Sequence, residues 1–436
     1  MSRTIGALLL LWSLQALAGI TPEEFARRRF AVAARLDSTS ALVMRASDIR
    51  MRANDVNYRY RQESNFWYLT GSESPNSYLI IAPCGVTVGG SRGVVAIFPP
   101  LVSPADHDGG GTVTTGQLEL EVDRFPEAFR SVASKITTLY VSAPDIKFVN
   151  DWLNGKSIFL DRDVRKAFEQ TYPGVKVKNA SALLVSARGI KSEAEVEQIR
   201  RAIAITGEGL ERAMRACGPG VFEYQLQAEI EYAMTRRGSA GPAFPSIVGS
   251  GLNSLNYHYE LNNRQAKAGE LVVMDVGAEY GGYSADVTRT IPISGRFTKE
   301  QAEVYDLVLK AQEAAIAGIR PGAPFRVIDT KAREVVDAAG FGKYWGHGAS
   351  HHLGVDTHDA GMMDTLRAGM VVTVEPGLYI PAGDTTRAAA YRGWGIRIED
   401  DVLVTEDGRE VLSAGIPKLR KEIEVLVGKN AASQPK

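Results

Sequence analysis

The sequence predicts an α/β chain in two parts: a mixed α/β domain, then an α+β domain built twice on one helix-helix-hairpin plan. Three observations carry this. The segment Lys267-Ala268-Gly269-Glu270-Leu271-Val272-Val273-Met274-Asp275-Val276-Gly277 returns as Arg367-Ala368-Gly369-Met370-Val371-Val372-Thr373-Val374-Glu375-Pro376-Gly377, an offset of 100 throughout, with His258 and His358 each ten residues before the Ala-Gly. Around it runs a coarser echo: helix, Pro219-Gly220, helix and Gly238 precede the first copy, while helix, Pro321-Gly322, helix and Gly340 precede the second, at an offset of 102. Upstream of residue 188, short β-branched runs alternate with helical stretches. A period this long excludes the usual solenoids and implies two half-domains about a pseudo-two-fold axis.

Taken in order, Arg3 and the apolar run Ile5 to Leu17, closed by Ala16-Leu17-Ala18, read as an export signal over residues 1–18, so that the mature chain begins at Gly19. The alternatives are a buried first helix or an uncleaved anchor, and a cytoplasmic location. Residues 19–187 form the mixed α/β domain: Pro22 to Leu36 reads as a helix, and Ser77 to Pro83 and Val94 to Pro99 read as strands. A boundary falls at Arg188-Gly189-Ile190-Lys191. There Ser192 and Glu195 make a capping box that opens a long helix through Ala216. Residues 188–428 hold the duplicated domain, and residues 429–436 read as a flexible tail.

Composition narrows the function classes. Of 436 residues, 44% are hydrophobic and 23% charged, and 50 Lys+Arg against 51 Asp+Glu leave no field to recruit nucleic acid or anionic membrane. No segment beyond the leader is long and apolar enough for stable membrane insertion. Cys84 and Cys217 show no metal-binding spacing and read as two ordinary buried thiols.

The chemistry sits where the repeated strands end. A carboxylate closing a buried strand is costly unless something pairs with it, so Asp275 and Glu375 in matching places suggest a shared cation. The first copy continues to Asp286. A hairpin turning about Tyr280-Gly281 would set Asp286 directly across from Asp275, with Cβ atoms roughly 4.5–5.5 Å apart. A later strand, Trp394 to Val404, carries Glu399 on the face of Arg397, and Asp400 and Asp401 read as its solvated end. Asp286 and Glu399 thereby close the set from the second strand of each half. Five of six histidines lie between His258 and His358; His347-Gly348-Ala349-Ser350-His351-His352 is too glycine-rich for a helix and lacks the Glu of H-E-x-x-H, so it reads as a loop delivering one or more imidazoles. Four carboxylates and an imidazole around two divalent ions make a hard, oxygen-rich site suited to amide hydrolysis.

These motifs, from Met274-Asp275-Val276-Gly277 to Ala285-Asp286-Val287-Thr288-Arg289-Thr290, then His347-Gly348-x-Ser350-His351-x-Leu353-Gly354, Val355-Asp356-x-His358-Asp359, Val374-Glu375-Pro376-Gly377-Leu378-Tyr379 and Gly395-Ile396-Arg397-Ile398-Glu399-Asp400, resemble the aminopeptidase P and prolidase branch of the pita-bread metallopeptidases. Tyr58 to Gly71 looks like the signature of that family's creatinase-like N-terminal domain. The resemblance implies that Asp275, Asp286, His351, Glu375 and Glu399 ligate two divalent metal ions, usually manganese, with Asp286 and Glu399 bridging. It implies that His258 and His358 hold the substrate carbonyl, that His347 lines a proline pocket, and that Tyr379 and Arg397 form a network behind the metals. Glu375 would move a proton toward the departing nitrogen as a metal-bridged hydroxide attacks. The expected activity is removal of an N-terminal residue preceding proline, with a dipeptide-specific prolidase as the alternative and a non-catalytic peptide-binding module as the remote one. The expected partners are peptides with proline second and further copies of the chain, as a dimer or tetramer.

Overall fold

The computed structural model describes residues 19–99, 117–142 and 170–429. The proposed leader and residues 430–436 of the tail lie outside them. The chain divides into two compact units, Met1–Ala187 and Arg188–Lys436.

In the first unit, helix α1 (Pro22–Ala33) starts at the Thr21 cap and stops short of Leu36. Strand β1 (Ser40–Arg45), a hairpin of β2 (Met51–Ala53) and β3 (Val56–Asn57), and helix α2 (Ser64–Thr70) follow. Then come β4 (Tyr78–Val88), β5 (Ser91–Phe98), β6 (Gln117–Glu119), helix α3 (Phe125–Ala133), β7 (Thr138–Ser142), β8 (Lys176–Asn179) and helix α4 (Ser181–Arg188). Six strands form one mixed sheet in the order β6-β5-β4-β1-β7-β8. The β4–β5 hairpin runs further than its apolar runs suggest, because Val88 and Ser91 still pair across Gly89-Gly90. Ile80, Ala82, Val86, Ala96 and Phe98 of this sheet pack with Ala128, Phe129 and Val132 of α3, giving the unit its own core. Cys84 is half-buried and Cys217 buried, both free; the expectation of two buried thiols holds fully only for Cys217.

The second unit opens with α5 (Glu193–Ala216), where Ser192 and Glu195 close the expected capping box. Helix α6 (Glu223–Arg236) packs on it. Strands β9 (Gly241–Pro242), β10 (Ile247–Ser250), β11 (Leu271–Val276), β12 (Ala278–Tyr280), β13 (Tyr283–Ser284) and β14 (Val287–Pro292) complete the first half. The second half repeats this with α7 (Lys299–Gly318) packed on α8 (Val327–Ala338), then β15 (Val371–Val374), β16 (Gly377–Ile380), β17 (Trp394–Arg397), β18 (Asp400–Val404), β19 (Arg409–Val411) and α9 (Arg420–Leu426). Matching bonds confirm the duplication: the Gly220 amide donates to the Ala266 carbonyl and the Gly322 amide to the Leu366 carbonyl, both at 2.9 Å.

Register corrects two expectations. The inner hairpin turns on Gly281-Gly282, whose positive φ values of 58° and 77° suit a two-residue loop, one residue beyond Tyr280-Gly281. Pairing therefore shifts by two, and Asp275 faces Thr288 instead of Asp286. Asp286 lies two residues before Thr288, in the link that precedes β14. Gly277 lies opposite Asp286, where a Cβ would stand 1.7 Å from the Ala285 carbonyl oxygen; only glycine fits that crossing.

In the second half, the register of β15 with β18 and of β16 with β17 is continuous and sets Glu375 opposite Glu399. The position matching Glu399 is therefore Thr288, not Asp286. Thr288 and Glu399 bond to each other, and so do the matching Arg289 and Asp400, which places the pseudo-two-fold axis between them. Val372 meets His352 as Val272 meets Ser250, so the first-half position matching His351 is Gly249, and only the second half carries an imidazole there.

Candidate metal centre

Asp275 is placed by β11, and the other proposed ligands sit where strands break. Asp286 occupies the link from β13 to β14, Glu375 the link from β15 to β16, and Glu399 the link from β17 to β18. A strand break frees a side chain from strict alternation and lets both sheets aim carboxylates at one point. His351 comes from the irregular loop before β15. Its backbone bonds Thr373, with the Thr373 amide donating to the His351 carbonyl at 2.9 Å.

Asp286, His351 and Glu399 each offer a ligand atom within 4.8 Å of the others. His351 Nε2 lies 3.5 Å from Asp286 Oδ2 and 3.4 Å from Glu375 Oε1. Its Nδ1 stands 3.0 Å from the His352 carbonyl, which fixes the proton there and leaves Nε2 bare toward the carboxylates. Burial, with the nearby His358 second, holds the His351 imidazole down at about 4, so the ring is neutral.

The carboxylates show what the pocket is for. Burial first, then the charges of Glu399, Asp275, Asp401 and Glu375, push Asp286 well above the usual carboxylate range. Burial, then Glu375 and Asp275, does the same to Glu399, and burial with Asp275 lifts Glu375 to about 8 against the opposing Arg397 charge. Three buried oxygens, Asp275 Oδ1, Glu399 Oε1 and Asp401 Oδ1, receive no hydrogen bond among the described residues. Like charges this dense with unpaired oxygens call for a divalent cation, and the residues present fit one.

Behind the carboxylates runs a chain of hydrogen bonds, buried at Arg397 and opening toward His347. Arg397 Nη2 donates to Asp275 Oδ2 at 2.5 Å and its Nη1 to the Tyr379 hydroxyl at 2.6 Å. Tyr379 lies 2.8 Å from His347 Nε2, while His347 Nδ1 sits 2.8 Å from the Gly348 carbonyl. His347 is held neutral at about 4 by burial and the Arg397 charge, so Nδ1 donates and Nε2 accepts from Tyr379. Tyr257, which sequence reasoning did not single out, lies tilted 4.4 Å from Tyr379 and edge-on 5.2 Å from His347. His258 and His358 are exposed, and the His358 ring stacks 3.9 Å from that of His351.

Asp400 and Asp401 are not a solvated strand end; both are fully buried. Asp400 is neutralised by Arg289 and Lys418 and accepts from Ser413, and Asp401 Oδ2 accepts the Asp286 amide at 3.2 Å. Thr288 was also missed. Its hydroxyl donates to Glu399 Oε2 at 2.7 Å and accepts from Arg397 Nε at 3.1 Å, and its place two residues after Asp286 was the available signal.

Residues 197–406 match the model of metallopeptidase family M24, and residues 25–98 match the aminopeptidase P N-terminal domain. The chain is 34% identical over 450 residues to the Xaa-Pro aminopeptidase of Escherichia coli, covering 94% of this chain and 99% of that protein. The structure of Escherichia coli aminopeptidase P with the inhibitor Pro-Leu superimposes with a TM-score of 0.80 at 32% identity, over 96% of this chain and 100% of that one. A zinc-substituted form of that enzyme in complex with product matches equally well, at 31% identity, a TM-score of 0.80 and the same coverage.

Proposed function

Because the chain belongs to metallopeptidase family M24, in its aminopeptidase P branch, we propose that it is a metal-dependent exopeptidase that cleaves the bond between an N-terminal residue and a following proline. The convergence of Asp286, His351 and Glu399 in a chain that covers 99% of an Xaa-Pro aminopeptidase is the observation that carries this reading. Asp275, Asp286, His351, Glu375 and Glu399 would hold two divalent ions, manganese by preference. When bound, such ions lower the pKa of water and polarise the scissile carbonyl.

The chain's own groups supply the rest. His258 and His358, exposed beside the cluster, hold the substrate carbonyl and stabilise the charge that develops on it. Glu375 takes a proton and delivers it to the departing proline nitrogen. His347, Tyr379 and Arg397 hold the proline side, with His347 oriented through Tyr379. The match over residues 25–98 favours aminopeptidase P over prolidase.

We also propose that residues 1–18 direct export, so that the mature N-terminus is Gly19, and that the protein assembles as a dimer or tetramer. Among the described residues no helix is long and apolar enough to cross a membrane. Edman sequencing and light scattering test these two points. The activity is tested by assaying Xaa-Pro, Xaa-Pro-Yaa and Met-Ala peptides side by side with manganese-loaded protein. Cleavage of Xaa-Pro-Yaa is expected; turnover of the dipeptide alone would make the protein a prolidase.

A further inference from the structure

His258 and His358 are exposed, on loops without regular structure, yet their proposed work needs fixed imidazoles. In each half the residue that follows the histidine is buried and tied down. Tyr259 is 7% exposed, and its hydroxyl lies 2.9 Å from Glu223 Oε2 and 3.2 Å from Asn263 Oδ1. Glu223 opens α6 and is fully buried. Its Oε1 accepts from the Ser250 amide and hydroxyl, each at 2.7 Å, and from Asn253 Nδ2 at 3.0 Å, while its Oε2 also accepts the Arg264 amide at 2.9 Å. One carboxylate thus gathers both ends of the loop that carries His258.

In the second half the polarity is reversed. Asp359 follows His358, and its side chain is 1% exposed. It accepts from Arg188 and lies 3.0 Å from Lys191 Nζ, both cations being buried. Its amide donates to the His352 carbonyl at 2.9 Å, and Arg188 also bonds Asp356 Oδ2 at 2.7 Å. A Cβ on Gly354 would stand 2.2 Å from Asp359 Oδ2, so the carboxylate is seated against bare backbone. The offset of 100 relates Tyr259 to Asp359, but the position matching Glu223 at the helix offset of 102 is Phe325, so the second half must recruit its anchor from Arg188 and Lys191 ahead of α5.

We propose that Tyr259 and Asp359 are equivalent positioning residues, each acting with its buried partners, Glu223 or the Arg188–Lys191 pair, to hold the preceding histidine toward the substrate. The inference rests on the reading of His258 and His358 given above. It makes the Arg188-x-x-Lys191 motif part of the substrate-binding apparatus as well as the start of a domain.

A double-mutant cycle tests it. Tyr259→Phe keeps the ring and removes the hydroxyl that bonds Glu223 and Asn263, and should lower kcat on Xaa-Pro-Yaa about tenfold with little change in KM. In a His258→Ala background the same substitution should cost less than about twofold, because the group it positions is gone. Equal losses in both backgrounds, or no loss in the first, overturn the inference. Lys191→Gln, which leaves Arg188 on Asp359, repeats the test against His358→Ala without dismantling the cluster. A second readout is independent of turnover. In metal-free protein labelled at histidine Cε1, Tyr259→Phe should broaden or shift the His258 resonance and spare that of His358, and an unchanged His258 resonance overturns the inference. If the wild-type protein cleaves no Xaa-Pro-Yaa peptide, the activity assignment fails while this spectroscopic test still judges the anchor.

Discussion

Thr288→Val is the substitution that asks most sharply whether the buried network serves a metal. Valine replaces the threonine hydroxyl with a methyl of similar size, so in the fully buried β14 the change lies in the lost polar group and not in the volume filled. Two bonds are lost: the donation to Glu399 at 2.7 Å and the acceptance from Arg397 Nε at 3.1 Å. A hydrogen bond to a charged group contributes about 1.5–3 kcal/mol. The Thr288 hydroxyl opposes the upward push of burial on Glu399; without it, Glu399 binds its proton more tightly, and a proton competes with a metal for the same oxygens. Both arguments lead to metal binding weakened by about 10- to 100-fold, the usual effect of removing a group that orients a ligand. The assay is calorimetric titration of chelated protein with manganese at neutral pH, with Thr288→Ser as the control that keeps the hydroxyl. Serine should stay within a few-fold of wild type. Equal manganese affinity in wild type and Thr288→Val would show that the hydroxyl does not tune the site.

Three further outcomes follow from the same contacts. Arg289→Met removes a fully buried guanidinium that donates to Asp400 and to the carbonyls of Thr288, Glu399, Ile416 and Pro417, and should cost about 3–5 kcal/mol in urea unfolding, since Asp400 is left with only Lys418 as cation. Gly277→Ala forces a Cβ into the Ala285 carbonyl, so the variant should lose soluble yield or show a lowered Tm in thermal melts. Burial would raise the Asp359 carboxyl, but the Lys191 and Arg188 charges outweigh it and hold it below the ordinary carboxylate range. Its folded pKa is depressed, so its contribution is present at neutral pH and lost as pH falls through that folded value. Wild type should therefore exceed Asp359→Asn in stability at neutral pH, and the two unfolding free energies should converge below about pH 4.

Local signals were the legible ones. Ser192 and Glu195 stand three residues apart and close their box as read, and the 100-residue echo announced both halves because each half must bury the same strand. The hairpin register was misjudged by two residues although Tyr280-Gly281-Gly282-Tyr283 is symmetric about its glycine pair, and the symmetric reading puts the turn where positive φ is affordable. Asp400 and Asp401 could not be read as buried, because the charges that neutralise Asp400 come from Arg289, 111 residues away, and from Lys418 beyond another strand. Nor does a run from Trp394 to Val404 reveal that it breaks at Ile398-Glu399, where β17 leaves one sheet and β18 joins another. The break is set by what lies across it, the Glu399 amide donating to the Thr288 carbonyl at 3.1 Å.

The proposed activity requires that Asp275, Asp286, His351, Glu375 and Glu399 hold metal. Crystals grown with manganese, measured for anomalous scattering near the manganese edge, address this without reference to activity. Two anomalous peaks among these five side chains are the expected result, with Asp286 and Glu399 touching both. Fully exchanged crystals with no peak there, or with manganese held only elsewhere, would contradict it.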